Sequence, residues 1–544
     1  MVDPSKVPLE ARQAITRKFR DFPIFKRSRA AALYNFFAAL ENSIPIDVAN
    51  PQAIYALHRR AVEAAERAIP ALSGISDGGS SDDLRLNPAA LQEATELLDY
   101  GFAYDQVMTS YELAERGQYE VQFDLASACI RFTYASQRAN DADTLMRSGE
   151  VESKIAAELS QSDLRKAQEI ISAIRTELIG SILFVGADDI TFPFTPKLIT
   201  LAKQWVNLIL TTHQWQLPDD AAIGSMTLAD VRRFWAAVSV AVGLHDMAHR
   251  VASTDKEMLR PRGSMVNVKS PQEWAKAVSE IGGIGGEAAL EILSWHTFDS
   301  AISGATAVLQ PFVEAAPGHL CVTGIVTGAL DHERNLMKLL TRHSKLRPFA
   351  NSITSIKEPI ALRDLANLFA APAFIAEPTV VVAGVTDADL VIYERSSGFV
   401  LVIQHKWLTA PESVSESSSN DERLKEGINQ AVKSMDAFRN DHSLLRNALH
   451  LSSHEVISQI EGAVVSREAE QTGFLETPAV PIVLESAFVN LWSQSKSLPE
   501  LWTNLNTRPD HAKAAANFDD TFAKFNLAGY CFAVPVLMKE VPLR

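Results

Sequence analysis

Hydrophobic residues recur every three or four positions along most of the first 350 residues, which is the period of an amphipathic α-helix. Some of these segments begin with a helix-capping residue: Asn87 stands before Pro88, and Thr227 stands before its apolar run. The pattern predicts a large all-α region over residues 1–350. A polar linker near residues 73–86 divides it into two possible subdomains.

The pattern changes after about residue 355. A short predicted helix precedes three runs rich in β-branched residues, and a polar loop, an amphipathic helix and further strands follow. In order these segments are 359–370, 379–384, 388–394, 399–406, 409–422, 423–440, 462–468 and 481–486. The order α-β-β-β-α-β predicts an α/β domain with a central sheet over residues 355–544. The apolar run at 530–537 is expected to add a strand to the same sheet.

Polar and glycine residues at 395–398 separate two of the apolar runs, which predicts a β-hairpin. If Glu394 pairs with Phe399, this register places Asp389 opposite Gln404. Directly opposed side chains lie ~4.5–5.5 Å apart at Cβ, so one divalent cation can bridge these two.

The same register places Asp387 opposite Lys406, on the face that carries Asp389 and Gln404. Polar groups on an otherwise apolar hairpin are costly to bury without a purpose. We expect the Asp389 carboxylate, the Gln404 amide oxygen and the backbone carbonyl of His405 to bind a hard cation. Lys406 would stabilise the negative charge that develops during phosphodiester hydrolysis.

Asp389 followed by Gln404-His405-Lys406 resembles the signature of the PD-(D/E)XK nuclease superfamily. Glutamine in place of glutamate is similar to the QxK variant of Mrr-like restriction endonucleases, and Gln430 resembles the accessory glutamine of many members. The resemblance covers roughly residues 355–490. It implies a restriction-endonuclease-like domain and a nuclease that cleaves DNA with Mg²⁺ or Mn²⁺, in restriction, repair or defence, with RNA as the other substrate class.

The sequence departs from the usual pattern in one respect. Gln404 is neutral, so the site has one negative charge fewer than an Asp/Glu pair would supply, unless Asp387 compensates. The alternative hypothesis is therefore a non-catalytic nucleic-acid-binding or scaffold protein with a degenerate nuclease domain.

Two further motifs have weaker interpretations. His245 and His249 are spaced to bind zinc from one helix face, with Asp255 and Glu257 as nearby carboxylates, but no clear third ligand follows and ordinary helix histidines are favoured. The glycine-rich segment at 282–286 lacks the Lys-Ser/Thr pair of a P-loop. It is interpreted as a turn between two helices.

Charge and cysteine content limit the partners and the location. The net charge is −15, which argues against a protein that coats nucleic acid by charge alone, although the first 30 residues carry eight basic and three acidic side chains. These residues predict either a solvated helix face or an arm that contacts phosphate. Cys129, Cys321 and Cys531 are far apart in sequence, which predicts no disulfide framework and a reducing, cytoplasmic location. No membrane association is predicted, and the helical region is a candidate surface for a protein partner or homo-oligomer.

Overall fold

The computed structural model describes two compact units. The first comprises Met1–Met108, Glu158–Ile353 and Asn526–Tyr530, and the second comprises Thr109–Ala157, Thr354–Phe525 and Cys531–Arg544. The residues described are 6–43, 51–136, 161–185, 189–212, 217–255, 266–302, 304–328, 332–369, 371–382, 386–409, 411, 414–468, 479–507 and 519–538. Within them no helix is long and apolar enough to span a membrane.

Helices dominate the first 353 residues. They are α1 (Val7–Arg20), α2 (Arg29–Asn42), α3 (Pro51–Ser73), α4 (Pro88–Glu115), α5 (Gln161–Ser181), α6 (Pro196–Thr212), α7 (Leu228–Asp255), α8 (Pro271–Gly282), α9 (Gly286–Trp295), α10 (Gly324–Gly328) and α11 (His332–Arg342), with 3₁₀ helices at Pro23–Lys26 and Ser81–Asp83. Asn87 caps α4, because its Oδ1 accepts a hydrogen bond from the Ala90 amide at 3.1 Å. Thr227 precedes α7, and its amide donates to Asp230 Oδ2 at 2.8 Å.

The prediction of an all-α region over residues 1–350 is wrong, because the same stretch contains short strands. They are β1 (Tyr119–Asp124), β2 (Cys129–Tyr134), β3 (Leu183–Val185), β4 (Asp189–Thr191), β5 (Ala222–Ile223), β6 (Met226–Thr227), β7 (Asn267–Lys269), β8 (Val313–Ala316) and β9 (His319–Val322). Strands of two to six residues are too short to show a convincing alternation of apolar and polar positions.

A five-stranded sheet forms the centre of the second unit. Its strands, in spatial order, are β10 (Phe374–Val382), β11 (Thr386–Glu394), β12 (Phe399–Lys406), β13 (Gln459–Ser466) and β14 (Ile482–Leu484). β10 to β12 are antiparallel neighbours, and β12, β13 and β14 pair in parallel. The helices between residues 347 and 507 are α12 (Arg347–Ala366), whose first turns belong to the first unit, α13 (Val414–Asn440), α14 (His442–Ala448), α15 (Glu485–Gln494) and α16 (Leu498–Thr507).

Both faces of this sheet are covered by helices. Val400 and Val402 of β12 pack with α13, whereas Leu401 and Ile403 pack in the opposite core with residues of α12, α15 and α16. Because each face is buried, the strands are almost continuously apolar, which made them recognisable in the sequence. Gly462 of β13 allows α13 to pack closely.

Two predictions for the C-terminal region are wrong. Helix α13 begins at Val414, inside the stretch predicted as a loop; Val414, Ser417 and Asp421 are buried, so tertiary packing holds this polar run in the helix. The apolar run near residue 530 forms β16 (Tyr530–Met538), which follows β15 (Asp519–Leu527). These strands belong to a separate sheet of order β1-β2-β16-β15 and not to the central sheet.

The expectation of no disulfide is also wrong. Cys531 lies opposite Cys129 in the parallel pairing of β16 with β2, and the two residues form a disulfide across 402 positions of sequence. Cys321 is a free, buried cysteine. The cysteine content therefore no longer supports the predicted cytoplasmic location, because the premise of that prediction was the absence of a disulfide.

Candidate active site

The hairpin of β11 and β12 has the register predicted from the sequence. The pairing runs from Glu394 opposite Phe399 to Leu390 opposite Ile403. Gly398 closes the turn with φ at 68°, and its amide donates to the Glu394 carbonyl at 2.9 Å. A Cβ atom at this glycine would lie 2.5 Å from the carbonyl oxygen of Val456, so a side chain there would clash with backbone.

The ladder between β11 and β12 ends one pair before Asp389 and Gln404, so the predicted direct pairing of these residues is not formed. Instead, the backbone amide of His405 donates to Asp389 Oδ2 at 2.7 Å. The Gln404 side-chain amide donates to the backbone carbonyl of Asp387 at 2.6 Å. Asp387 thus contributes its carbonyl to this arrangement, while its side chain is exposed.

Lys406 extends from the end of β12 towards α13. Its Nζ donates to Gln430 Oε1 at 2.7 Å, so the structure brings together two of the residues named as site residues from the sequence. Gly427 lies one helical turn before Gln430, and a Cβ there would be 3.0 Å from Lys406 Cε. The absent side chain at this glycine leaves the space through which the lysine reaches Gln430.

The backbone of His405 faces β11, the strand that carries Asp389. The amide and carbonyl of one strand residue point to the same side, and the amide of His405 points to Asp389. The next carbonyl, that of Lys406, points the other way and accepts from the Arg467 amide at 3.1 Å. The His405 carbonyl is therefore on the β11 side of β12, the side on which Asp389 lies.

Burial raises the pKa of Asp389 above its usual value. The His405 amide and the charge of Lys406 act in the opposite direction, whereas Glu358 adds negative charge nearby and raises the pKa further. Glu358 was missed in the sequence because the helix was predicted to begin after it. In the structure Pro359 lies inside α12, which starts twelve residues earlier at Arg347.

A second polar cluster lies on the face of the sheet opposite the Lys406 side chain, because successive side chains of a strand alternate between faces. We call it the rear cluster: His405, Glu485 and Arg467. The ring nitrogen Nε2 of His405 is 3.1 Å from Glu485 Oε2, and Glu485 Oε1 is 3.9 Å from Arg467 Nη1. Burial alone would raise the pKa of Glu485, but the hydrogen bond with His405 and the charge of Arg467 lower it overall. His405 and Glu485 are 80 positions apart, so no local pattern in the sequence indicated their contact.

Trp407 connects the rear cluster to α12. The Arg467 guanidinium lies 4.0 Å from the centre of the Trp407 ring, and Lys357 Nζ lies 5.1 Å from it. Cations over an indole ring are attracted by its negative face. Positive charge is therefore held directly after the site residues of β12.

The histidine pair and the glycine-rich segment, the two weaker motifs of the sequence, lie more than 90 residues before Asp389. The rings of His245 and His249 are 4.5 Å apart on α7, and the intervening Asp246 accepts from Arg250 at 2.8 Å. No group of three or more His, Cys, Asp or Glu side chains suited to a metal occurs among the described residues; Glu257 lies outside them. The glycine-rich segment is a turn, since left-handed Gly283 ends α8 and Gly285 precedes α9.

Comparison with known proteins gives no relative: no family model, curated protein or solved structure matches this chain. The functional interpretation therefore depends on the geometry of the site and on the residues that compose it.

Proposed function

We propose that the second unit is a metal-dependent nuclease domain of the PD-(D/E)XK type that hydrolyses DNA phosphodiester bonds. The observation that carries the proposal is the arrangement at the end of β12. Asp389 is held by the His405 amide, and Lys406 is held by Gln430, at 2.7 Å in each case. A carboxylate and an ammonium group at the same end of one hairpin can bind a cation and an anionic substrate together.

The residues present fit Mg²⁺ or Mn²⁺. Mg²⁺ needs only one or two carboxylates and retains several waters, so a site with a single aspartate can suffice. Gln404 uses its amide nitrogen on the Asp387 carbonyl, which leaves Oε1 as its ligand atom. Asp389, Gln404 Oε1 and the His405 carbonyl would hold the ion. The bound ion would supply Lewis acidity and a water molecule of lowered pKa.

Lys406 is the residue that meets the developing charge. Hydrolysis joins the oxygen of water to phosphorus and releases the leaving oxygen as an alcohol, with extra negative charge on the phosphoryl oxygens in between. The ammonium group of Lys406 would stabilise that charge, and Gln430 would keep the flexible side chain in one orientation. Preorganised donors of this kind are typically worth about 100- to 1,000-fold in rate.

DNA is the substrate class that we propose, with RNA as an outcome of the test. The residues from 351 onward comprise 16 basic and 24 acidic side chains, so non-specific attraction to a polyanion is weak. We infer that DNA recognition uses local clusters of basic side chains, and that the helices of the first unit or a second protein subunit supply further DNA contacts.

A non-catalytic scaffold is the second candidate, and the neutral Gln404 favours it. Metal titration separates the two hypotheses. A nuclease requires divalent binding that is lost in Asp389→Ala, whereas a degenerate domain would bind no divalent ion at this position.

The activity test uses purified protein, plasmid DNA and a structured RNA with Mg²⁺ or Mn²⁺. Wild type should cleave, Lys406→Ala should lose about 100-fold or more in rate, and Lys433→Ala, an exposed lysine of α13, should cleave like wild type. Cleavage of RNA alone would change the substrate class. Wild-type rates equal to those of Lys406→Ala on both substrates would contradict the nuclease proposal.

A further inference from the structure

The rear cluster and the proposed metal site share one peptide segment. His405 donates its backbone amide to Asp389 at 2.7 Å, and its ring lies 3.1 Å from Glu485 on the other face of the sheet. Since a carboxylate only accepts hydrogen bonds, this contact requires the proton on Nε2 of the ring. The ring and the amide belong to the same residue, so a contact that restrains the ring also restrains the amide that orients Asp389.

Arg467 links the rear cluster to the same segment a second time. Its guanidinium lies 3.9 Å from Glu485 Oε1, while its own backbone amide donates to the Lys406 carbonyl at 3.1 Å. The side chain of His405 is 1% exposed and that of Glu485 is 19% exposed. The peptide between the two site residues Gln404 and Lys406 is therefore held from the rear by side-chain contacts and by the strand ladder.

Stability alone is a weak reason to place these groups here. A buried hydrogen-bonded pair gains little over apolar residues of the same shape, because removing both groups from water offsets much of their attraction. Glu485 also lies in the first turn of α15, where an acidic side chain is favoured by the helix dipole. The helix dipole favours Glu485 whether or not a histidine faces it, so this local benefit does not explain the contact with His405.

We propose that Glu485 is a positioning residue of the metal site: through the His405 ring it fixes the peptide whose amide orients Asp389. The inference rests on the proposed function, and it adds a residue 80 positions after the motif. Partners that orient metal ligands from behind typically account for about 10- to 100-fold in metal affinity or activity.

The test compares full-length Glu485→Ala, Glu485→Gln and Glu461→Ala with wild type, by calorimetric Mn²⁺ titration, plasmid cleavage and thermal unfolding. Glu461 is the matched control, because it is 20% exposed and lies 3.2 Å from Arg439 in the same unit. We expect Glu485→Ala to weaken Mn²⁺ binding by about 10- to 100-fold. Glutamine can still accept the hydrogen bond, so Glu485→Gln should recover most of the affinity, and Glu461→Ala should bind like wild type.

Each outcome decides between the hypotheses. If wild type binds Mn²⁺ through Asp389 but Glu485→Ala binds equally well, the positioning role is wrong while the nuclease proposal stands. If wild type neither binds Mn²⁺ nor cleaves DNA, the proposed function fails and the inference fails with it. If Glu485→Ala does not fold, His405→Phe decides, because it retains the ring volume and removes the hydrogen bond. Wild-type Mn²⁺ affinity in His405→Phe would overturn the role.

Discussion

Asp389 combines two demands that oppose each other at the scale of a single residue. Its carboxylate is partly buried, which penalises the ionised form, yet the proposed metal site needs that form. Buried carboxylates of this kind are typical of functional sites, where stability is given up for chemistry.

The raised pKa of Asp389 gives a stability test. The folded protein keeps this proton to a higher pH than the unfolded chain, whose pKa is about 3.9. Stability is therefore lost as the pH rises through the interval between these two values. Without metal, Asp389→Asn should unfold at a higher urea concentration than wild type at pH 7, and the difference should narrow below about pH 4. Asp387→Asn, an exposed neighbour on β11, is the control, and an equal gain there would contradict the explanation.

The β11–β12 hairpin and α13 show, at the scale of elements, what could be predicted from the sequence. The turn and the Glu394–Phe399 register follow from local residues, because a short turn sets the pairing of its strands. The placement of Gln430 on the helix after the motif also follows from the sequence, whereas its hydrogen bond with Lys406 was not predicted. The end of the backbone pairing at Asp389 could not be predicted. It ends there because the amide of His405 donates to the Asp389 side chain and not to a backbone carbonyl of β11.

Gly398 is the residue on which the hairpin depends most. Its φ of 68° is unfavourable for a residue with a side chain. An added Cβ would also lie only 2.5 Å from the Val456 carbonyl oxygen, which is a steric clash. We expect Gly398→Ala to lower the free energy of unfolding by more than about 1–3 kcal/mol, the usual cost of backbone strain. Gly529, with φ at 84° and no atom within 4 Å of a Cβ, is the control for backbone strain alone. If urea unfolding shows that Gly398→Ala and Gly529→Ala lower the free energy of unfolding equally, the clash with Val456 has no effect.

Gly427 tests the packing of α13 against Lys406, the proposed catalytic lysine. Alanine favours a helix over glycine by up to about 1 kcal/mol, which offsets the crowding of its methyl group against buried Val464 Cγ1 at 3.3 Å, so Gly427→Ala should leave thermal stability unchanged. Its methyl group would lie 3.0 Å from Lys406 Cε and displace the side chain from Gln430. We expect slower DNA cleavage in a variant that melts no lower than wild type. Unchanged cleavage would mean that the position of Lys406 is not critical.

At the scale of the whole molecule, contacts between distant parts of the sequence were the least predictable. The disulfide joins residues 402 positions apart, and Glu485 reaches His405 across 80. No local spacing carries such information, since it depends on which strands pair in the folded chain. The short strands of residues 1–350 were missed for a related reason: their pairing, and not their own pattern, defines them.

The disulfide between Cys129 and Cys531 gives a test at this scale. Reduction should lower the free energy of unfolding by about 2–4 kcal/mol, since a cross-link over a long loop limits the unfolded chain. Cys129→Ser should lose the response to reductant, and Cys321→Ser, at the free buried cysteine, should retain it. Equal melting temperatures with and without reductant would contradict a stabilising role.

The central proposal, a nuclease at Asp389, is tested most directly by the Mn²⁺-dependent cleavage rate of plasmid DNA in wild type and Asp389→Asn. This variant retains an oxygen that can accept from the His405 amide and removes a buried charge, so lost activity could not be attributed to unfolding. We expect cleavage by wild type and a loss of at least about 100-fold in Asp389→Asn. Equal rates in the two proteins, or no cleavage by either, would contradict the proposal.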